Sequence, residues 1–135
     1  MTRRILVVDD EPSVRKTLER ALRSMGYEVM AVGDPRLAYE LLDGGEFDMV
    51  LLDVNLPEMS GDALFLALAR RSPGIIGRVI LMSGDPYAVR SDWPEDLARC
   101  QMLGKPFTLE ALGCAVATAL EAADQASPRR KRNSG

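Results

Sequence analysis

At 135 residues the chain suits one domain with a proper core, and its 47% apolar and 27% charged residues are ordinary for a globular protein. These values exclude global disorder, collagen and a coiled coil, and no apolar run reaches the roughly 18 residues of a membrane helix. The net charge of −3 hides an asymmetry: Arg129, Arg130, Lys131 and Arg132 crowd the end, so residues 1–124 hold 13 basic and 20 acidic side chains, a net of −7. An acidic body argues against a broad nucleic-acid-binding face on the domain itself and suits a site that holds a cation. There is no histidine, which removes His triads, His metal sites and phosphotransfer by an imidazole of this chain. Cys100 and Cys114 fit no metal spacing and no disulfide framework. The opening Met1-Thr2-Arg3-Arg4 leads into a strand-like run, not a signal peptide cleavage site, so the expected location is cytoplasmic.

In chain order, Ile5-Leu6-Val7-Val8 is a continuous apolar run of the kind that forms a strand buried on both faces, and it ends at Asp9-Asp10. Pro12 opens a helix with Val14, Leu18, Ala21, Leu22 and Met25 on one stripe, and Gly26 stops it. Residues 27–32 read as a second strand. Residues 35–42 read as a short helix with Leu37, Ala38, Leu41 and Leu42 inward. Met49-Val50-Leu51-Leu52 is the third strand, ending in Asp53, and a loop over 54–61 follows. Asp62 caps a helix over 62–69. Val79-Ile80-Leu81-Met82 is the fourth strand, ending at Ser83-Gly84. Pro86 and Pro94 make any helix within 85–99 short or broken. Residues 100–103 are a weak fifth strand before Gly104-Lys105-Pro106. Thr108 caps a last helix with Leu109, Leu112, Val116 and Leu120 on its core face. The domain is expected over 1–124, with a disordered basic tail over 125–135.

Five strands alternating with helices predict an α/β fold, an open doubly wound parallel sheet with helices on both faces. Ligands of such sheets sit off the carboxyl ends of the strands. Asp9, Asp10, Asp53, Ser83 and Lys105 all stand at those ends, so one rim gathers them. Clustered carboxylates repel one another, and a hard divalent cation relieves the repulsion through oxygen ligands. Such a site leaves room for a phosphoryl oxygen. An aspartate there can attack phosphorus, with the lysine and the serine hydroxyl meeting the phosphoryl oxygens. Taken singly, these residues have plainer readings: Asp9-Asp10 as acids favoured at a helix N-terminus, Ser83-Gly84 as a strand-end turn, Lys105 as a solvated lysine.

Val7-Val8-Asp9-Asp10-Glu11, Asp53-Val54-Asn55-Leu56-Pro57 with Gly61, Met82-Ser83-Gly84 and Lys105-Pro106-Phe107 together resemble the receiver domain of two-component response regulators. The resemblance covers roughly residues 3–122. It implies a flavodoxin-like five-stranded sheet in the order 2-1-3-4-5, with about five helices, the fourth irregular here. It implies Asp53 as phosphoacceptor, Mg2+ or Mn2+ as cofactor, and a metal site made of Asp10, Asp53, the backbone carbonyl of Asn55 and, through water, Asp9. Lys105 would pair with the phosphoryl group and Ser83 would move to bond it. Asn55 and Asp85 match positions that tune dephosphorylation, and the Lys105–Pro106 peptide is expected to be cis. The implied donor is a phosphohistidine on a sensor histidine kinase or phosphotransfer protein. The implied role is signalling through a protein-interaction surface, to an output partner the sequence does not name, with a phosphorylation-dependent homodimer as one form of output. The domain would assist its own phosphorylation and dephosphorylation without being an enzyme.

Two departures stand out. Met102 occupies the place where the family usually has Tyr or Phe, three residues before the lysine, and Asp92-Trp93-Pro94 falls where a regular helix is expected. Alternatives are a receiver fragment of a hybrid kinase or DNA-binding regulator, and a pseudo-receiver that works unphosphorylated. An aspartyl-phosphate phosphatase lacks its second aspartate at Asn55, and a flavin mononucleotide carrier would have its phosphate repelled by the acids.

Overall fold

The described residues of the structure, a computed structural model, are 2–44, 47–54, 70, 77–84 and 100–126. They form β1 (Arg4–Val8), α1 (Pro12–Ser24), β2 (Glu28–Val32), α2 (Pro35–Asp43), β3 (Met49–Asp53), β4 (Val79–Ser83), β5 (Gln101–Gly104) and α3 (Leu109–Ala126). The strands make one parallel sheet in the order β2-β1-β3-β4-β5, the order implied by the resemblance. The expected helices over 62–69 and within 85–99, the loop from Asn55, Asp85, Trp93 and residues 127–135 lie outside the described residues. The last helix continues through Gln125 and Ala126, where the sequence alone placed the start of the tail.

The apolar runs are continuous because both faces of the sheet are covered. Successive side chains alternate between faces. Leu6, Val8, Val50, Leu52 and Leu81 pack with Ala38, Leu42 and Phe47 on the α2 side. Ile5, Val7, Leu51, Ile80 and Met82 pack with residues of α1 and α3 on the other, among them Leu18, Leu22, Leu112 and Val116. Met102 is half-buried against the first of these clusters. Three residues of the expected core stripes turn outward: Met25 is 37% exposed, Leu37 44% and Leu109 60%. Each has a local reason. Met25 lies past the last turn of α1, as its C-cap. Leu37 is about 100° round the helix from buried Ala38. Leu109 opens α3, with no preceding turn to share its burial.

Turn chemistry sets the ends that matter for the rim. Gly26, at φ 96°, takes the left-handed position after α1; its N–H bonds Arg23 O at 3.0 Å and the Tyr27 N–H bonds Leu22 O at 3.1 Å. Asp34 caps α2 by accepting the Arg36 N–H at 2.9 Å. Thr108 caps α3 as expected, its Oγ1 accepting the Ala111 N–H at 3.0 Å. The Lys105–Pro106 peptide is cis. Among the described residues, no helix is long and apolar enough to cross a membrane.

Candidate functional site

Strand register builds the site. Val8 lies beside Val32 and Leu52, Asp53 beside Met82, and Ser83 beside Gly104. The carboxyl ends of all five strands therefore finish level. The next residues are tied in turn: the Asp9 N–H bonds Val32 O at 3.1 Å, Val54 N–H bonds Met82 O at 3.1 Å, and Lys105 N–H bonds Ser83 O at 2.7 Å. Asp9, Asp53 and Lys105, far apart in sequence, reach one rim because parallel pairing brings their strand ends together.

Asp9 and Asp53 are buried, Asp10 is exposed, and Ser83 is buried at the end of β4. The three aspartates each offer a carboxylate oxygen, and these oxygens lie within 4.8 Å of one another. The Lys105 Nζ donates to Asp9 Oδ2 at 2.6 Å and to Asp53 Oδ2 at 3.3 Å. Burial by itself lowers the Lys105 pKa, but the Asp9 hydrogen bond and the charges of Asp53 and Asp9 outweigh it, so the net shift is upward. The lysine stands there as ammonium. Three carboxylates against one ammonium leave the rim with an excess of negative charge. At such separations each carboxylate pair repels by roughly 3–4 kcal/mol at an effective dielectric of about 20. A divalent cation matches both the excess charge and the all-oxygen donor set.

The plain capping reading of Asp9-Asp10 is partly realised. Asp9 Oδ1 accepts the Glu11 N–H at 2.9 Å, while the residue at the helix cap, Glu11, makes no side-chain cap bond. The carboxylate of Asp9 therefore shapes the turn with one oxygen and meets Lys105 with the other. In front of the aspartates opens a cleft of about 690 Å³ that runs along the first turns of α1, past Ser13 and Thr17, to Phe107. Gly84 borders it, with open space where a Cβ would be.

Of the residues singled out from sequence, Asp9, Asp10, Asp53, Ser83 and Lys105 stand together at this rim. Asn55 lies outside the described residues. One residue of the site carried no signal in the sequence. Arg15, on α1, donates from Nη1 to the main-chain carbonyl of Asp9 at 2.7 Å. An arginine one position off the apolar stripe looks like any solvated side chain, and only the tertiary structure aims it.

The sequence matches the family model described as response regulator receiver domain over residues 5–117. It is 38% identical over 125 residues to the sensor kinase CckA of Brucella abortus, covering 89% of this chain and 13% of that protein. The structure is similar to that of the response regulator protein TrrA of Thermotoga maritima in complex with Mg2+–BeF, with TM-score 0.77, 29% identity, and 87% and 99% of the two chains covered. It is also similar to the receiver domain of the sensor histidine kinase PA1611 of Pseudomonas aeruginosa, which has a magnesium ion coordinated in its active site cleft. There the TM-score is 0.74 and the identity 26%, with 90% and 99% of the chains covered.

Proposed function

The chain belongs to the response regulator receiver family, and from that premise we propose that it is a signalling module that accepts a phosphoryl group on Asp53 and so changes a protein-interaction surface. The observation that carries this reading is the Lys105 ammonium shared between buried Asp9 and Asp53, beside three converging carboxylates.

Mg2+ or Mn2+ fits the donor set. Asp10 and Asp53 would hold it directly and Asp9 through water, with the backbone carbonyl of Asn55 as the further ligand the family implies. Bound there, the cation supplies charge neutralisation for phosphoryl oxygens. The rest falls to this chain's own residues. A carboxylate oxygen of Asp53 attacks the phosphorus of a phosphohistidine on a partner kinase or phosphotransfer protein. The O–P bond forms and the N–P bond breaks, leaving its electron pair on the imidazole, and Asp53 becomes an acyl phosphate. Lys105, already in reach of Asp53, donates to a phosphoryl oxygen. The Ser83 hydroxyl, on the neighbouring strand, bonds another and carries the change toward β5. Positioning and charge stabilisation supply most of the catalysis in such a transfer.

The output of this reading is protein contact, and no turnover of an external substrate is required. CckA is a sensor kinase of which the chain spans 13%, which supports a receiver working within or beside a kinase.

The test is a beryllofluoride titration with and without Mg2+, followed by amide shifts, on the unmodified chain and on Asp53→Asn. Beryllofluoride mimics the phosphoryl group on aspartate. Magnesium-dependent shifts at Asp53, Ser83 and Lys105, absent in the variant, are expected. No magnesium-dependent response in the unmodified chain leaves the pseudo-receiver as the better reading. Spread of the shifts to Met102 tests whether the switch works with methionine in place of the usual aromatic ring.

A further inference from the structure

Gly33, the residue after β2, has no left-handed φ, so backbone conformation gives no reason for a glycine there. Space gives one. A Cβ built at Gly33 would lie 2.5 Å from Arg15 Nη1 and 3.2 Å from Arg15 Cζ. The half-buried guanidinium of Arg15 occupies the room a side chain would take, and from that seat it reaches the Asp9 carbonyl at 2.7 Å.

That carbonyl belongs to the same rigid peptide plane as the N–H of Asp10. The other polar groups of Asp9 are also held: its N–H by Val32 O, Oδ1 by the Glu11 N–H and Oδ2 by Lys105. Three of these four contacts come from the strand end, the turn itself or the lysine of the site. The fourth comes from a side chain on α1 that belongs to none of them.

We infer that Arg15, seated on Gly33, is a positioning residue for the cation pocket: by fixing the Asp9–Asp10 peptide it presets two of the three carboxylates for a divalent ion. The inference rests on reading that carboxylate cluster as a cation site. Arginine suits the task because its planar fork is pre-organised, so less freedom is lost in holding one carbonyl.

A double-mutant cycle tests it, using the full chain and Mg2+ alone. The variants are Arg15→Ala, Gly33→Ala, the double variant and Arg15→Lys, with Leu18→Ala as a purely structural control. For each, the Mg2+ dissociation constant is read from the Asp10 and Glu11 amide shifts. Melting temperature and hydrogen exchange at the same amides are measured in chelator. Arg15→Ala is expected to weaken Mg2+ binding about tenfold, the lower end for removing a group that orients metal ligands. Gly33→Ala, which unseats the guanidinium without removing it, weakens binding similarly. The double variant is no weaker than Arg15→Ala alone, because the Gly33 effect passes through Arg15. Arg15→Lys recovers part of the loss. Exchange at Glu11, whose N–H bonds Asp9 Oδ1, quickens in both single alanine variants without metal. Unchanged Mg2+ affinity in Arg15→Ala overturns the inference. So do additive effects of the two substitutions, or affinity losses that track melting temperature in the Leu18→Ala control as well. Failure of the underlying site reading looks different: the unmodified chain itself then shows no saturable Mg2+ response, and the role assigned to Arg15 goes with it.

Discussion

The Nζ of Lys105 lies 2.6 Å from Oδ2 of Asp9, a contact between residues 96 positions apart, with the carboxylate fully buried. The two meet because β5 and β1, on opposite sides of β3 and β4, end at the same height. The ammonium pairs with both Asp9 and Asp53, so it offsets repulsion that would otherwise act at the end of β3.

Lys105→Met removes that ammonium and leaves two buried carboxylates side by side. Breaking a buried pair in this way costs about 3 kcal/mol. The expected result is a loss of that order in urea denaturation at neutral pH without metal. Added Mg2+ should stabilise the variant more than the unmodified chain, since it then supplies the missing positive charge.

The lysine also sets an alkaline limit for the metal-free chain. Its folded-state pKa lies above the ordinary lysine value, with burial opposing and the Asp9 and Asp53 interactions prevailing. The folded chain therefore holds the proton more tightly than the unfolded chain. The stabilisation is complete below the unfolded pKa of about 10.4 and is lost as pH rises through the folded one. Thermal melts in chelator should show a decline beginning above about pH 10 that Lys105→Met lacks.

Asp10→Asn should separate metal binding from stability. Asp10 is the exposed member of the cluster, and its charge adds to the repulsion there. Removing that charge should leave metal-free stability unchanged or raised by up to about 1 kcal/mol. The same change should weaken Mg2+ binding at least about tenfold, because a ligand charge is gone. Calorimetric titration with Mg2+ beside urea denaturation in chelator checks both directions.

Two leucines that look alike in sequence should behave differently. Leu81 is fully buried in the middle of β4, an inner strand, and Leu81→Ala should cost about 2–5 kcal/mol. Leu37 is 44% exposed, and Leu37→Ala should cost about 0.5 kcal/mol or less. Equal losses in denaturation would mean that Leu37 packs against something in the folded chain.

Much of the fold was legible because the signals were local and mutually consistent. Runs such as Val79-Ile80-Leu81-Met82 can be buried on both faces only in a covered sheet, and Pro12, Gly26 and Thr108 mark helix ends by their own local chemistry. Leu37 and Leu109 misled because an apolar stripe says which side of a helix is greasy, while burial depends on where the partner surface stops.

By itself the sequence determined which residues could do the chemistry: acids, a serine and a lysine, each placed where a strand must end. It did so because strand period and chain topology are set by local sterics and by the hydrophobic pattern. Only the tertiary structure decided how those groups divide their contacts. Asp9 meets the Glu11 N–H with one oxygen and Lys105 with the other, and Arg15 reaches the Asp9 carbonyl across Gly33. Such contacts join elements whose relative placement no local pattern encodes; they exist because packing of α1 on the sheet leaves an arginine and a missing side chain facing each other.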